Sequence, residues 1–237
     1  MSKIRLAKVE ESIARKVSQR IRKEISRKEK VFDLADAIKH KQANCLGCSQ
    51  LFYLLGNCVG LAVQVIHVEE LKAGHMASIV GLPDATTMMV DLTFGRIMSK
   101  PFKFEKEFSK VGHYWELKNK NNPLGIHRRI QRWNNNELIA AIYNSRGVHY
   151  KMLREYHKAI YAYNKAIELN PKYAEACYNR GIAYYILGKY KEAKKDLLTS
   201  VKLDPALKAD VKEIYMKLFE FPLVDFKLDT SAGSRNK

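Results

Sequence analysis

The chain has no apolar run near the roughly 18 residues of a membrane span. Its first residues, Met-Ser-Lys-Ile-Arg-Leu, lead into charged amphipathic sequence and not into the apolar core of a signal peptide. Cysteine is scarce, with four in 237 residues. Without a secretion signal, that usage points to reduced thiols and a cytoplasmic setting. There is one Cys-x-x-Cys and no second, so neither a four-cysteine zinc site nor a thioredoxin-like βαβ unit fits. Acidic residues are outnumbered, 25 against 42 Lys and Arg, for a formal net charge of +17. That excess admits nucleic acid, an anionic surface or an acidic protein as partner. No recognisable nucleic-acid motif accompanies it, so nucleic acid is the less favoured partner and solvated basic helix faces account for the charge. The densest basic segment, residues 15–30, carries Ile13, Val17, Ile21 and Ile25 at helical spacing, the pattern of a helix packed on a domain with its basic side outward.

Against this background one signal recurs. Gly147, Tyr150, Leu153, Tyr156, Ala159, Ala166 and Pro171 reappear 34 residues later as Gly181, Tyr184, Leu187, Tyr190, Ala193, Ser200 and Pro205. Small residues at 147, 159, 181 and 193 let two helices cross closely, with Tyr150 and Tyr184 filling the space beside them. Asn170-Pro171 and Asp204-Pro205 stop the second helix of each unit. The pattern resembles the tetratricopeptide repeat (TPR), a helical hairpin of that length. Two units do not bury their own apolar faces, so residues 206–219 are expected to cap one end and the upstream domain the other. The resemblance implies an all-α module that binds a protein or peptide on its concave face. The lining read from the pattern is Asn144, Lys151, Tyr178, Asn179 and Tyr185. Asn144 and Val148 stand where a carboxylate clamp would need Lys and Asn, so no such clamp is expected.

Upstream, an apolar helical stretch over 49–58 is followed by Gly60 and by strand-like runs at 62–69, 76–81 and 87–93, with another around 113–117. A helix feeding an antiparallel sheet is an α+β layout. Cys45 stands at or near the start of the helix, where unpaired N–H groups favour a thiolate. His75 opens the second run and Asp91 lies in the third, between Val90 and Leu92. A histidine can take a thiol proton and a carboxylate can orient that histidine. Cys48, one turn on, is an alternative nucleophile. Cys45 and Cys48 would form a metal site only if Cys58, His67 or His75 supplied further ligands. Cys58 and Cys177 read as core, and His67 as packing or surface.

Asn44-Cys45-Leu46 through Gly60, then Gly74-His75-Met76-Ala77, then Met89-Val90-Asp91-Leu92-Thr93, is similar to a transglutaminase-like core. More narrowly, with Phe94 to Ser99 following, it is similar to bacterial proteins that place such a domain before TPR repeats. The chain departs from that pattern at Ala43, where a Gly is usual, and at Ala77, where many active members have an aromatic. The resemblance implies cysteine acyl transfer or amide hydrolysis by Cys45, His75 and Asp91, as a peptidase, transamidase or deamidase, with no cofactor and no metal. The alternative is a non-catalytic TPR adaptor with a degenerate upstream domain, and the second alternative a basic module docking on nucleic acid or acidic protein. The expected organisation is a transglutaminase-like domain over 1–118, a polar connector over 119–136 with a helical stretch at 126–133, two repeats and a capping helix over 137–222, and a polar tail over 223–237. For the oxyanion donor, the Cys45 backbone N–H, Gln42 and Asn44 stand as candidates.

Overall fold

A computed structural model describes residues 2–28, 34–68, 75–93, 99–112, 114–119, 124 and 127–219. Gly74, residues 94–98, His113, residues 125–126 and the tail 223–237 lie outside the described residues.

The first helix, α1 (Lys3–Glu24), is capped by Ser2, whose hydroxyl accepts from the Arg5 N–H. It buries Ala7, Ala14, Ser18 and Ile21, while Ile13, Val17 and Ile25 pack at the margin of the same core. The stripe is therefore centred on small residues, which bring α1 close to its neighbours. Part of the basic side is engaged: Arg15 pairs with Glu11 at 2.7 Å and donates to the Ser99 carbonyl at 3.2 Å.

Two short elements follow. Strand β1 (Ser26–Arg27) pairs in parallel with β2 (Gln42–Ala43) across helix α2 (Leu34–His40). Helix α3 (Cys45–Cys58) then begins at an Asn44 cap, whose side chain accepts from the Gly47 N–H at 2.8 Å. It ends at Gly60, which adopts the left-handed φ of +83° that favours glycine. Cys45 is thus the first residue of the helix. The apolar residues on α3 explain its place: Leu51 and Phe52 pack with Val63, Val80, Met88 and Val90 of the sheet and with Ala7, Ala14 and Ile21 of α1.

The sheet has six antiparallel strands in the order β5-β4-β3-β8-β7-β6. They are β3 (Ala62–Val68), β4 (His75–Gly81), β5 (Thr87–Val90), β6 (Phe108–Val111), β7 (Tyr114–Leu117) and β8 (Arg129–Arg132), with the short helix α4 (Phe104–Glu107) before β6. One face meets α1 and α3. The other encloses Ile66, Val68, Ile79, Met89, Phe104, Phe108, Leu117 and Ile130.

The segment expected to form a partly helical connector departs from that expectation. Residues 129–132 are a strand beside β3, near the middle of the sheet. The reason is visible in the pairing: Ile130, fully buried, sits opposite Val68 and Trp115, so its burial selects the extended form over a local helical pattern. Trp133 N–H then donates to the Val65 carbonyl at 3.0 Å. Asn134 caps the next helix directly, in a reciprocal box with Glu137.

Two helical hairpins follow: α5 (Asn135–Met152) with α6 (Tyr156–Leu169), and α7 (Ala174–Ile186) with α8 (Tyr190–Leu203). After a 3-10 turn, α9 (Lys208–Phe219) places Val211 against Leu197 and Val201, the capping role expected of it. The helix crossings are set by a pair of residues that the repeat comparison did not single out. A Cβ on Gly147 would lie 2.6 Å from Tyr163 Cδ1, and one on Gly181 would lie 3.0 Å from Leu197 Cγ. Tyr163 and Leu197 are 34 apart and fully buried. They, more than Tyr150 and Tyr184, occupy the space that the glycines leave.

Gly147→Ala should lower stability by about 1–3 kcal/mol through overpacking. Gly181→Ala should cost less, because the aliphatic Leu197 yields more readily than the enclosed Tyr163 ring. Urea melts of the two variants test the order, and an equal or inverted order overturns it.

Candidate active site

Three segments distant in sequence meet at one carboxylate. Asp91 is the first residue beyond β5 and is 0% exposed. Its Oδ1 accepts from the Thr93 N–H at 2.9 Å and the Thr93 hydroxyl at 3.2 Å, a local turn that fixes the side chain. Its Oδ2 lies 2.7 Å from His75 Nε2 and 3.0 Å from His127 Nε2. Both imidazoles are buried as well. A carboxylate only accepts, so each histidine donates its Nε2–H. Burial pushes the Asp91 carboxyl up, but the hydrogen bonds from His127 and His75 outweigh it and hold the group well below the usual carboxylate range.

His75 commits Nε2 to Asp91, which leaves Nδ1 as the ring nitrogen for Cys45. The thiol is half-buried at the start of α3. Burial opposes its ionisation, yet hydrogen bonding with His75 and the Met76 and Leu46 backbone N–H groups brings it below the ordinary thiol value. His75 responds in the opposite direction. Burial works against its charge, but Asp91 and Cys45 raise it from 6.5 to about 9.

The other cysteines fall elsewhere. Cys48 is buried in a small cluster with Ala37 and Ala43, and burial pushes its thiol up to about 12, so it is the inert member of the pair. Cys177 is core. Cys58, expected in the core, is exposed. It ends α3 on the outward side that also exposes Leu54, Leu55 and Val59. Thirteen residues of helix place it on the order of 20 Å from Cys45, which removes it as a shared metal ligand. His67 stacks on Trp133 with centroids 5.3 Å apart, and burial lowers it to about 4.

His75, Asp91 and His127 have the chemistry of a metal ligand set, with ligand atoms within 4.8 Å of one another. Both Nε2 atoms, however, already lie at hydrogen-bond distance from the same oxygen. A zinc or iron ion needs about 2.0–2.2 Å to each ligand and an additional donor. Among the described residues the geometry is that of a proton-linked cluster.

His127 was absent from the sequence reading because it falls in the segment expected as a connector. The apolar Ile130 and Trp133 just beyond it were the available signal in the sequence, and the structure buries both.

The expected concave-face residues divide. Lys151 donates to Asn179 at 2.8 Å, and Asn179 donates to Asn144 at 3.3 Å, so these three are linked. Tyr178 packs towards α8 and α9, and Tyr185 lies 5.6 Å from Tyr190, centroid to centroid. The repeats and the thiol share one cluster: Leu46, Val65, Met76 and Trp133 are buried with Leu138 and Ala141 of α5, and Cys45, Ile142 and Tyr173 each pack at its margin.

Asp91→Asn should cost about 3–5 kcal/mol, as for a broken buried ion pair. His75 has a folded value above its unfolded 6.5, so its contribution is complete below pH 6.5 and is lost as pH rises through about 9. The stability gap between wild type and Asp91→Asn should therefore shrink from pH 6 to pH 10 in urea melts. A gap independent of pH would show that His75 is not charged against Asp91.

The comparisons with known proteins bear on the repeats. A family model described as "TPR repeat" matches residues 154–188, and one described as "Tetratricopeptide repeat" matches residues 174–207. An uncharacterised protein of Methanocaldococcus jannaschii is 43% identical over 56 residues, which are 24% of this chain and 65% of that protein. The chain thus spans less than two thirds of the length of this relative. No solved structure matches it. Among the described residues, no helix is long and apolar enough to cross a membrane. The helical hairpins of the C-terminal part are tetratricopeptide repeats, which imply a protein partner.

Proposed function

We propose that the protein is a transglutaminase-like thiol acyl-transfer or amide-hydrolysing enzyme, acting inside the cell on a protein or peptide that its repeats help to hold. The observation that carries this reading is the placement of the Cys45 thiol, made more acidic than an ordinary thiol, beside a histidine whose Nε2 is bonded to a buried aspartate.

The chemistry follows from the geometry. Cys45 attacks a carbonyl as thiolate while His75 holds the proton on Nδ1. As the tetrahedral adduct collapses, His75 delivers that proton to the leaving amine and a thioester forms on Cys45. His75 then takes a proton from water or from an acceptor amine, which displaces the thiol. Asp91 stabilises the imidazolium throughout and keeps the Nε2 proton in place. The Leu46 and Met76 N–H groups already support the thiolate. Asn44, one of the candidate oxyanion donors, uses its side-chain oxygen as the helix cap.

The repeats pack on the same cluster as Cys45, through Leu138 and Ala141. A partner on their concave face would therefore be held close to Cys45, with no flexible tether between. The same packing also suits the adaptor reading, in which the site is a structural remnant and the repeats alone function.

Alkylation by iodoacetamide, followed by peptide mapping across pH, separates the two. Cys45 should react well below the ordinary thiol range of about 8.5 and should outpace the exposed Cys58 at pH 6. His75→Gln should remove that advantage. A Cys45 that reacts only at alkaline pH, with or without His75, leaves the adaptor reading.

A further inference from the structure

The chemistry above leaves His127 without a task. Its side chain is 0% exposed, and Nε2 lies 3.0 Å from Asp91 Oδ2, the oxygen that His75 approaches at 2.7 Å. The two rings are 6.3 Å apart and tilted by 47°, so they are not stacked on each other. The Nδ1 of His127 is buried and finds no hydrogen-bond partner among the described residues. Burying a polar atom in that way costs stability. His127 thus meets Asp91 through Nε2, which donates to the carboxylate oxygen.

Asp91 does not need His127 in order to be aimed. Thr93 fixes Oδ1 through its N–H and its hydroxyl, and His75 takes Oδ2. What His127 adds is a second N–H on the oxygen that His75 uses. Two donors on one acceptor share its charge, so each binds less strongly than it would alone.

We infer that His127 is a positioning residue that moderates the Asp91–His75 pair by donating to the same carboxylate oxygen, so that His75 releases its proton more readily than it would opposite an unshared carboxylate. The functional meaning of this inference rests on the thiol reading of Cys45. A histidine that must both give and take a proton in one turnover works best when neither form is locked. In a desolvated site, an unshared aspartate would hold the imidazolium too firmly.

Among the described residues, the titratable groups that act on or beside His75 are Cys45 from α3, His67 from β3, Asp91 beyond β5 and His127 ahead of β8, while Cys48 faces Cys45 and Asp91 together with Arg27 of β1. Asp91 and Cys45 are the two that raise His75. A change at His127 reaches His75 through Asp91.

The test is an NMR pH titration of the full chain with labelled histidine, His75 being identified by the signal lost in His75→Gln. In His127→Phe, which removes the donor but keeps a ring, the His75 midpoint should rise by about half a unit or more, roughly a threefold tighter hold on the proton. In His127→Gln, which keeps an N–H at similar reach, it should stay near the wild-type value. Should the phenylalanine variant not fold, His127→Met lacks the donor too and carries the same expectation. A midpoint that is unchanged or lowered without the donor, or an equal shift in the glutamine variant, overturns the inference. Iodoacetamide profiles on the same variants keep the two readings apart. An ordinary Cys45 with a shifted His75 sinks the acyl-transfer reading alone, and an activated Cys45 with an unmoved His75 sinks this one alone.

Discussion

Asp91 is a carboxylate withdrawn from water and surrounded by apolar strands, and the arrangement of the sheet around it follows from that position. An ionised carboxylate in such a place needs several donors. Thr93 supplies two from the adjacent turn. His75 supplies one from the start of β4 and His127 one from just before β8. These residues belong to opposite halves of a six-stranded sheet. The same bonds that neutralise the carboxylate therefore bring together the edge with β5 and the segment leading into β8. His75, charged at neutral pH by this contact, in turn makes the neighbouring thiol more acidic. Removing the carboxylate would orphan two imidazoles and detune the thiol together.

The repeats are joined to this site by packing. Strand β8 ends at Trp133, and the next residue already caps α5. Trp133 stacks on His67, meets Tyr173 edge-on at 6.1 Å and belongs to the cluster that includes Cys45. A tetratricopeptide hairpin needs a neighbour for each open face. Here α9 covers one end, and the sheet domain takes the other through Leu138 and Ala141. The repeats thus pack into the same cluster that Cys45 borders.

How legible this was depended on the range of the interactions. The repeats were visible as a 34-residue recurrence because each hairpin packs against its neighbours by local rules. The start of α3 at Cys45 and its end at Gly60 followed from Asn44 and from the glycine, both local signals. Strand β8 was misread as part of a connector. Its four residues, Arg129 to Arg132, carry two arginines, and only pairing with Val68 and Trp115 buries Ile130. Cys58 was misplaced because an apolar helix does not by itself show which side meets the sheet.

The sequence by itself determined the helical hairpins, the α+β character upstream and the order Cys45, His75, Asp91, since periodicity, caps and turns act within a few residues. The tertiary structure alone decided that His127 shares the Asp91 oxygen with His75, that Cys48 is the buried thiol and Cys45 the acidic one, and that Leu138 and Ala141 of the repeats pack into the cluster beside Cys45. These outcomes depend on which distant groups reach the same dry space. There, a hydrogen bond made or missed changes the energy of a charge far more than any local preference does.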